Sequence, residues 1–165
     1  RKYYKEIDEN ASNPLGQIWS DPDNRDDKVV TQEVHVVVNK PVKFIIGAKD
    51  VIHDFGLAHF RMKMDAVPGM PTTMWFTPKY TTREMKAKYG EDFNYEISCD
   101  QMCGPGHYGM RGVIVVESEG EFRVWLAQKQ SQYDIAHGAK GAPSNQSGSP
   151  ADSTSNSKPT ALLEK

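Results

Sequence analysis

The sequence predicts an all-β domain, arranged as a sandwich or barrel of mainly antiparallel strands. Between residues 29 and 117, several short segments rich in β-branched residues alternate apolar and polar side chains, which is the period of a half-buried strand. Turn signals rich in proline, glycine and asparagine separate these segments, and helical character is confined to two short stretches. Short strands with such punctuation favour a sandwich or barrel.

The predicted elements follow one another as short strands and loops. Residues 1–28 are polar and rich in turn signals, so we predict a loop segment there. Val29–Val38 and Val42–Ala48 are predicted to form a strand pair joined by the Asn39-Lys40-Pro41 turn. A loop that contains His53 follows. Further strands are predicted at Thr72–Thr77, Phe93–Ile97 and Gly112–Glu117, and short helices at Thr81–Tyr89 and Glu121–Gln130.

Composition divides the chain into a leading segment, one domain and a tail. With 165 residues and 38% hydrophobic side chains, the chain can form one ordinary domain. We predict that this domain spans residues 29–130. Residues 131–165 are rich in serine, glycine, alanine, proline and asparagine, and their few apolar side chains cannot offset the entropy of ordering. A disordered tail is therefore predicted.

Charge argues against a nucleic-acid partner, and hydropathy argues against a membrane-spanning segment. The formal net charge is −2 and lysine and arginine are scattered, so a nucleic-acid-binding surface is not expected. No apolar run approaches the roughly 20 residues that span a bilayer, and no signal-peptide pattern occurs, so we expect the chain as given to be soluble. It begins at Arg1 without an initiator methionine, which is compatible with a processed or truncated piece of something larger.

Metal-binding side chains are concentrated in residues 99–110. This stretch holds both cysteines of the chain, Cys99 and Cys103, followed by His107 and Met110 at spacings of four and three. Thiolate, imidazole and thioether form a soft donor set, which favours copper over magnesium, calcium or manganese. The stretch lies between two predicted strands, where a rigid sheet can hold ligands in position.

Two cysteines at this spacing allow a dinuclear centre. Thiolates four residues apart in a tight loop can face one point, and each sulfur has enough lone pairs to bridge two metal ions. A second imidazole must come from elsewhere, and His53 is the best candidate because it ends an apolar strand. A blue-copper site uses one cysteine, two histidines and a weak axial ligand. One further thiolate suits two coppers that share one electron and transfer it with little reorganisation.

Other interpretations remain open for the same residues. A disulfide between Cys99 and Cys103 would close a very small loop and stabilise the chain little. Structural zinc sites usually follow a cysteine pair with paired histidines, which this chain lacks. A copper-storage or delivery protein needs a copper site without a tuned redox potential. An interaction module without a metal would have the disulfide instead.

One motif and three upstream segments resemble subunit II of haem-copper cytochrome c oxidase. The motif is Cys99-x3-Cys103-x3-His107-x2-Met110, and the segments are residues 51–55, 60–69 and 73–78. The similarity is to its CuA domain, covers about residues 29–127 and keeps the pieces in the family's order. The resemblance implies a cupredoxin-like Greek-key β-sandwich. It also implies a location on the periplasmic face of the cytoplasmic membrane, or on the intermembrane-space face in mitochondria.

The resemblance implies a role for each matching residue in holding two copper ions. The implied ligands are two bridging thiolates, two imidazoles, one thioether and one main-chain carbonyl: Cys99, Cys103, His53, His107, Met110 and Gln101. Met110 would join His53 on one copper, and the carbonyl of Gln101 would join His107 on the other. Many family members have glutamate in place of Gln101, and its carboxylate helps to bind magnesium. A neutral amide is a poorer ligand for that hard cation, which makes magnesium binding doubtful here.

The function implied by the resemblance is electron transfer in aerobic respiration. Electrons would pass from cytochrome c through the copper centre to haem in subunit I, where oxygen is reduced. The domain would be an electron-transfer module, and an enzyme only as part of the oxidoreductase complex. Implied partners are cytochrome c, subunit I and other oxidase subunits. The membrane would be reached through N-terminal helices that this sequence lacks, or through partner subunits. Some relatives carry a fused cytochrome c with a Cys-x-x-Cys-His motif. The tail of this sequence has no such motif, so we expect an external electron donor.

Overall fold

The computed structural model describes residue 13 and residues 16–138, and its strands form two β-sheets. The strands are β1 (Glu33–Val37), β2 (Val42–Ile46), β3 (His53–Leu57), β4 (Met62–Ala66), β5 (Thr72–Phe76), β6 (Tyr95–Ser98) and β7 (Arg111–Glu117). The larger sheet has the order β1-β7-β6-β3-β4, and β2 pairs with β5 in the smaller one. β1 and β7 are parallel, whereas the other pairs are antiparallel. The predicted all-β fold is confirmed.

The predicted pairing of the first two strands is wrong. β1 belongs to the five-stranded sheet and pairs with β7, and β2 belongs to the other sheet. The turn between them crosses from one sheet to the other. Asn39 has a φ of 59°, and its backbone N–H donates to the carbonyl of Pro78, beyond the end of β5. The turn is thus fixed by a contact distant in sequence, which a local hairpin pattern cannot anticipate.

Two strands lie where a loop was predicted. β3 contains the polar residues His53 and Asp54 and a glycine, which individually favour other conformations. Its backbone is nevertheless paired on both sides, with β4 over five register pairs and with β6 through Gly56 and Ser98. His53 is therefore the first residue of a strand and does not end one, as the sequence had suggested.

The α-helices are α1 (Thr82–Tyr89), α2 (Glu119–Ala127) and α3 (Gln132–Ala136). Thr81 with Glu84, and Ser118 with Glu121, form capping boxes that satisfy backbone donors at the starts of α1 and α2. Both helices were predicted to within a few residues. No helix in the described ranges is long and apolar enough to cross a membrane.

The beginning of the predicted disordered tail is ordered. α3 lies within it, and the Tyr133 ring is 5.7 Å from the ring of Trp19, in the segment predicted as a leading loop. The Gln132 N–H also donates to the carbonyl of Asp27 at 2.8 Å. Apolar rings at both ends of the domain supply the packing that composition alone did not reveal. The remainder of the predicted tail, residues 139–165, and residues 1–12, 14 and 15 of the leading segment lie outside the described residues.

The core lies between the two sheets and takes side chains from both. Its fully or nearly buried apolar residues are Val36, Ile46, Leu57, Ala66, Met74, Phe76, Tyr95, Ile114 and Val116. Leu57, at the end of β3, has no exposed surface. Because β3 also begins with His53, packing of this strand supports the position of a predicted ligand.

We expect Leu57→Ala to lower the free energy of unfolding by about 2–5 kcal/mol, since it removes buried methyl groups and leaves a cavity. Ile45→Ala is the matched control, because Ile45 is 73% exposed and should change stability by about 0.5 kcal/mol or less. Urea unfolding followed by circular dichroism measures both. Equal losses in the two variants would contradict the assignment of the core.

Candidate metal centre

The loop from β6 to β7 and the start of β3 meet at one end of the fold. The loop brings Cys99 and Cys103 together, with a distance of 3.7 Å between their sulfurs. Both are free, half-buried thiols. Gly104 has a φ of 127°, a conformation that favours glycine, and it directly follows the second cysteine. A residue with a side chain would strain the loop at this point.

The surroundings of Cys99 include one imidazole and one main-chain oxygen. Nδ1 of His53 lies 4.0 Å from Cys99 Sγ, across 46 residues of sequence. The carbonyl oxygen of Gln101 lies 3.3 Å from the same sulfur. Within the described residues, ligand atoms of His53, Cys99 and Cys103 all lie within 4.8 Å of one another, which is a spacing that could hold a metal ion.

Cys103 is flanked by the other two predicted ligands. Nδ1 of His107 is 3.6 Å from Cys103 Sγ, and Sδ of Met110 is 3.4 Å from it. His107 begins a short 3-10 helix, and Met110 caps the end of that helix immediately before β7. The structure therefore brings the other four predicted site residues close to the sulfurs of Cys99 and Cys103.

Asp50 orients the His53 ring and was not identified from the sequence. Its Oδ1 is 2.7 Å from Nε2 of His53. This contact raises the pKa of His53 and lowers that of Asp50. The carboxylate fixes the ring so that its Nδ1 faces Cys99. The only sequence signal was an acidic residue three positions before the histidine.

The two thiols differ in acidity. Burial works against a thiolate at Cys99, but hydrogen bonds with the backbone of Asp54 and Gln101 and with both histidine side chains outweigh it. The pKa of the Cys99 thiol falls to about 6. Burial and the neighbouring Cys99 sulfur raise the pKa of Cys103. One sulfur of the pair is therefore ready to bind a metal at neutral pH, since thiolates are the ligating form.

A buried carboxylate beside the centre, that of Asp54, was also not identified from the sequence. Asp54 follows His53 in β3 and is buried, and burial together with the charges of Asp100 and Asp65 raises its pKa. Strand alternation places Asp54 and His53 on opposite faces of the sheet. The Asp54 carboxylate is thus on the other face of the sheet from His53, although the Asp54 backbone forms a hydrogen bond with Cys99.

The donor set fits copper better than the alternatives from the sequence. A disulfide needs sulfurs about 2 Å apart, whereas these are 3.7 Å apart. Tetrahedral zinc needs four ligand atoms around one point. In the described part of the chain, His107 does not join the group of mutually close ligand atoms formed by His53 and the cysteines. Two thiols, two imidazoles and a thioether suit copper.

Comparisons with a family model and with curated proteins point to the same family. Residues 21–119 match the family model described as "Cytochrome C oxidase subunit II, periplasmic domain". The chain is 37% identical over 120 residues to an alternative cytochrome c oxidase subunit 2 of Bradyrhizobium diazoefficiens, covering 72% of this chain and 39% of that protein. It is 35% identical over 106 residues to cytochrome c oxidase subunit 2 of Thermostichus vulcanus, covering 64% and 29%.

A solved structure with the same fold is among the matches. It is the crystal structure of the periplasmic domain of subunit II of cytochrome oxidase of Bradyrhizobium japonicum. The TM-score is 0.50 at 31% identity, covering 59% of this chain and 62% of that one. The chain spans less than two fifths of the length of the two curated relatives described above. The likeness supports the predicted cupredoxin-like sandwich.

We expect the two thiols of the reduced, metal-free protein to react with iodoacetamide at different pH values. Cys99 should be alkylated with a midpoint near pH 6, because a lowered pKa makes it a thiolate at neutral pH. Cys103 should react only at alkaline pH, since its pKa is raised. Peptide mass spectrometry of samples quenched across a pH series separates the two rates. Identical midpoints would contradict the described electrostatics of the pair.

Proposed function

The chain belongs to the family of the cytochrome c oxidase subunit II periplasmic domain, and on this premise we propose that it binds two coppers and relays electrons within a haem-copper oxidase. The electrons would come from a cytochrome c and pass to haem in subunit I. Since the chain spans less than two fifths of its curated relatives, the activity and partners of the whole protein are part of this proposal.

The single observation that carries the proposal is the arrangement of two imidazoles on two sulfurs. His53 lies beside Cys99, and His107 lies beside Cys103, with the sulfurs 3.7 Å apart. One metal ion cannot contact all four of these side chains if they do not converge on one point. Two ions bridged by both sulfurs can each take one imidazole, which supports a dinuclear centre.

The remaining donors complete the proposed ligand set. The thioether of Met110 would serve the copper bound by His53, and the carbonyl of Gln101 the copper bound by His107. The proposed ligands are His53, Cys99, Gln101, Cys103, His107 and Met110. Bound copper supplies one-electron oxidation and reduction. His53 lies on β3 with its ring fixed by the Asp50 carboxylate, and the loop with the other ligands is joined to β6 and β7, so the chain would hold bound copper in one geometry as its charge changes.

The surface around the site suits contact with electron-transfer partners. Met102 and Tyr108, within the ligand loop, are 76% and 81% exposed. These side chains stand next to proposed ligands, so a docked protein would come close to the metals. We propose a cytochrome c as the donor and oxidase subunit I as the acceptor. The family match to a periplasmic domain supports a location on the outer face of the cytoplasmic membrane.

A copper-storage or delivery protein would need the same side chains but no shared electron. In the copper-loaded wild-type protein we expect two coppers per chain and an electron paramagnetic resonance spectrum of one spin shared equally by both. Cys99→Ser should abolish this spectrum because it removes a bridging sulfur. Tyr108→Phe, in the same loop, is the control and should retain both coppers. A mononuclear wild-type spectrum would contradict the dinuclear proposal and favour storage or delivery.

Replacing the Met110 thioether should change the reduction potential of the centre without removing its copper. We expect Met110→Leu to keep two coppers and to raise the reduction potential, because oxidised copper loses a weak donor that stabilises it. Met102→Leu removes an exposed thioether from the same loop and should leave the potential unchanged. Protein-film voltammetry with copper analysis measures both quantities. Loss of all copper in Met110→Leu would refute the proposed role of this side chain.

A further inference from the structure

Gly56, on β3, is buried beneath the side chains of Ser98 and Asp100. A Cβ atom added to Gly56 would lie 2.5 Å from Oδ2 of Asp100 and 3.0 Å from Oγ of Ser98. Non-bonded atoms pack best at roughly 3.5–4.0 Å, so the shorter of these contacts is a clash. Gly56 is not among the glycines with a positive φ, so space and not backbone conformation excludes a side chain there. The glycine thus leaves the space that Asp100 occupies.

The Asp100 carboxylate is held over Gly56 by a neighbouring hydroxyl group. Oγ of Ser98 donates to Oδ1 of Asp100 at 2.9 Å, and Ser98 is the register partner of Gly56. Asp100 therefore contacts β3 through Gly56 and β6 through Ser98. These two contacts fix the chain at the point where β6 ends and the loop of residues 99–110 begins.

The same contacts decide toward which face of the sheet Cys99 points. Consecutive side chains of an extended chain alternate between the two faces. Ser98 and Asp100 both lie on the side of Gly56 to which its Cβ atom would project. His53 is three residues from Gly56 on β3, and this odd separation places it on the opposite face. Cys99 lies on that opposite face, with its sulfur 4.0 Å from Nδ1 of His53.

Asp100 also controls the main-chain oxygen that follows it. The carbonyl oxygen of Gln101 lies 3.3 Å from Cys99 Sγ, so Asp100 stands between two residues that face the same sulfur. Its backbone torsions set the direction of the next peptide group. Displacement of the Asp100 side chain would turn that peptide group and move the carbonyl away from the sulfur.

We propose that Asp100, lying over Gly56, is a positioning residue that directs the Cys99 thiolate and the Gln101 carbonyl into the copper centre. This role rests on the proposed copper function, whereas the placement of Asp100 can be measured without metal. It depends on the shape of the side chain and on the oxygen that accepts from Ser98. Asparagine at this position keeps both, so the charge of Asp100 is not required.

Nuclear Overhauser spectroscopy of the reduced, metal-free protein tests the placement directly. In the wild-type protein we expect a contact between the β protons of Cys99 and the ring protons of His53. Gly56→Ala should weaken or remove this contact, because the new methyl group displaces Asp100. Gly120→Ala is the matched control and should retain it, since a Cβ atom there meets nothing within 4 Å. An unchanged contact in Gly56→Ala, or its absence from the wild-type protein, would overturn the proposal.

Copper titration and electron paramagnetic resonance test the consequence for the metal centre. Gly56→Ala and Asp100→Ala should each weaken copper binding about tenfold or more, and the spin should be shared less equally by the two coppers. Asp100→Asn removes the same charge as Asp100→Ala and should retain the wild-type affinity and spectrum. Equal losses in the two Asp100 variants would overturn the proposal. A mononuclear wild-type spectrum would contradict the proposed function, and the metal-free contact would still decide the role of Asp100.

A double-mutant cycle shows whether Gly56 and Asp100 act together. Gly56→Ala should lower the thermal unfolding midpoint of the metal-free protein. In the Asp100→Ala background the same substitution should lower it much less, because the carboxylate that the methyl group strikes is absent. Midpoint shifts that simply add would overturn the proposed contact between the two positions.

Discussion

The pairing of β3 between β4 and β6 is the constraint on which the candidate centre depends. His53 begins β3 and Cys99 directly follows β6, so the alignment of these two strands decides whether imidazole and thiol meet. The contact between them spans 46 residues of sequence. It is maintained by backbone pairing at Gly56 and Ser98 and by burial of Leu57 in the core. The meeting of these candidate ligands therefore depends on the register of the sheet.

The local part of the site could be predicted from the spacing of its residues. The distant ligand, His53, was selected for ending an apolar strand, which the structure contradicts, and the stronger ground for it was the resemblance. The spacing from Cys99 to Met110 fixes which side chains share one loop, and the loop itself is a local property. Strands with regular alternation, such as β5 and β7, were predicted within one residue. β3 and β4 were missed because their alternation includes aspartate, histidine and lysine, whose strand conformation depends on neighbouring strands.

Three further errors have the same origin. The hairpin expected around Asn39 does not form because β1 pairs with β7, and the register partners are 80 residues apart in the chain. α3 was assigned to a tail on composition, yet it packs against Trp19 from the other end of the domain. Asp50 was also missed, because an exposed acidic residue has no distinguishing pattern until the fold places it against a histidine.

The loop that contains five of the six proposed ligands, residues 99–110, has its two ends joined by the sheet. Ser98 and Arg111 are register partners on β6 and β7, and they are the residues immediately before and after the stretch from 99 to 110. Closing a loop has an entropic penalty that grows with its length, and strand pairing meets that penalty during folding. A metal ion arriving later has only side-chain torsions left to order. The affinity of the loop for metal should accordingly reflect bond chemistry more than chain entropy, a property usually associated with rigid macrocyclic chelators.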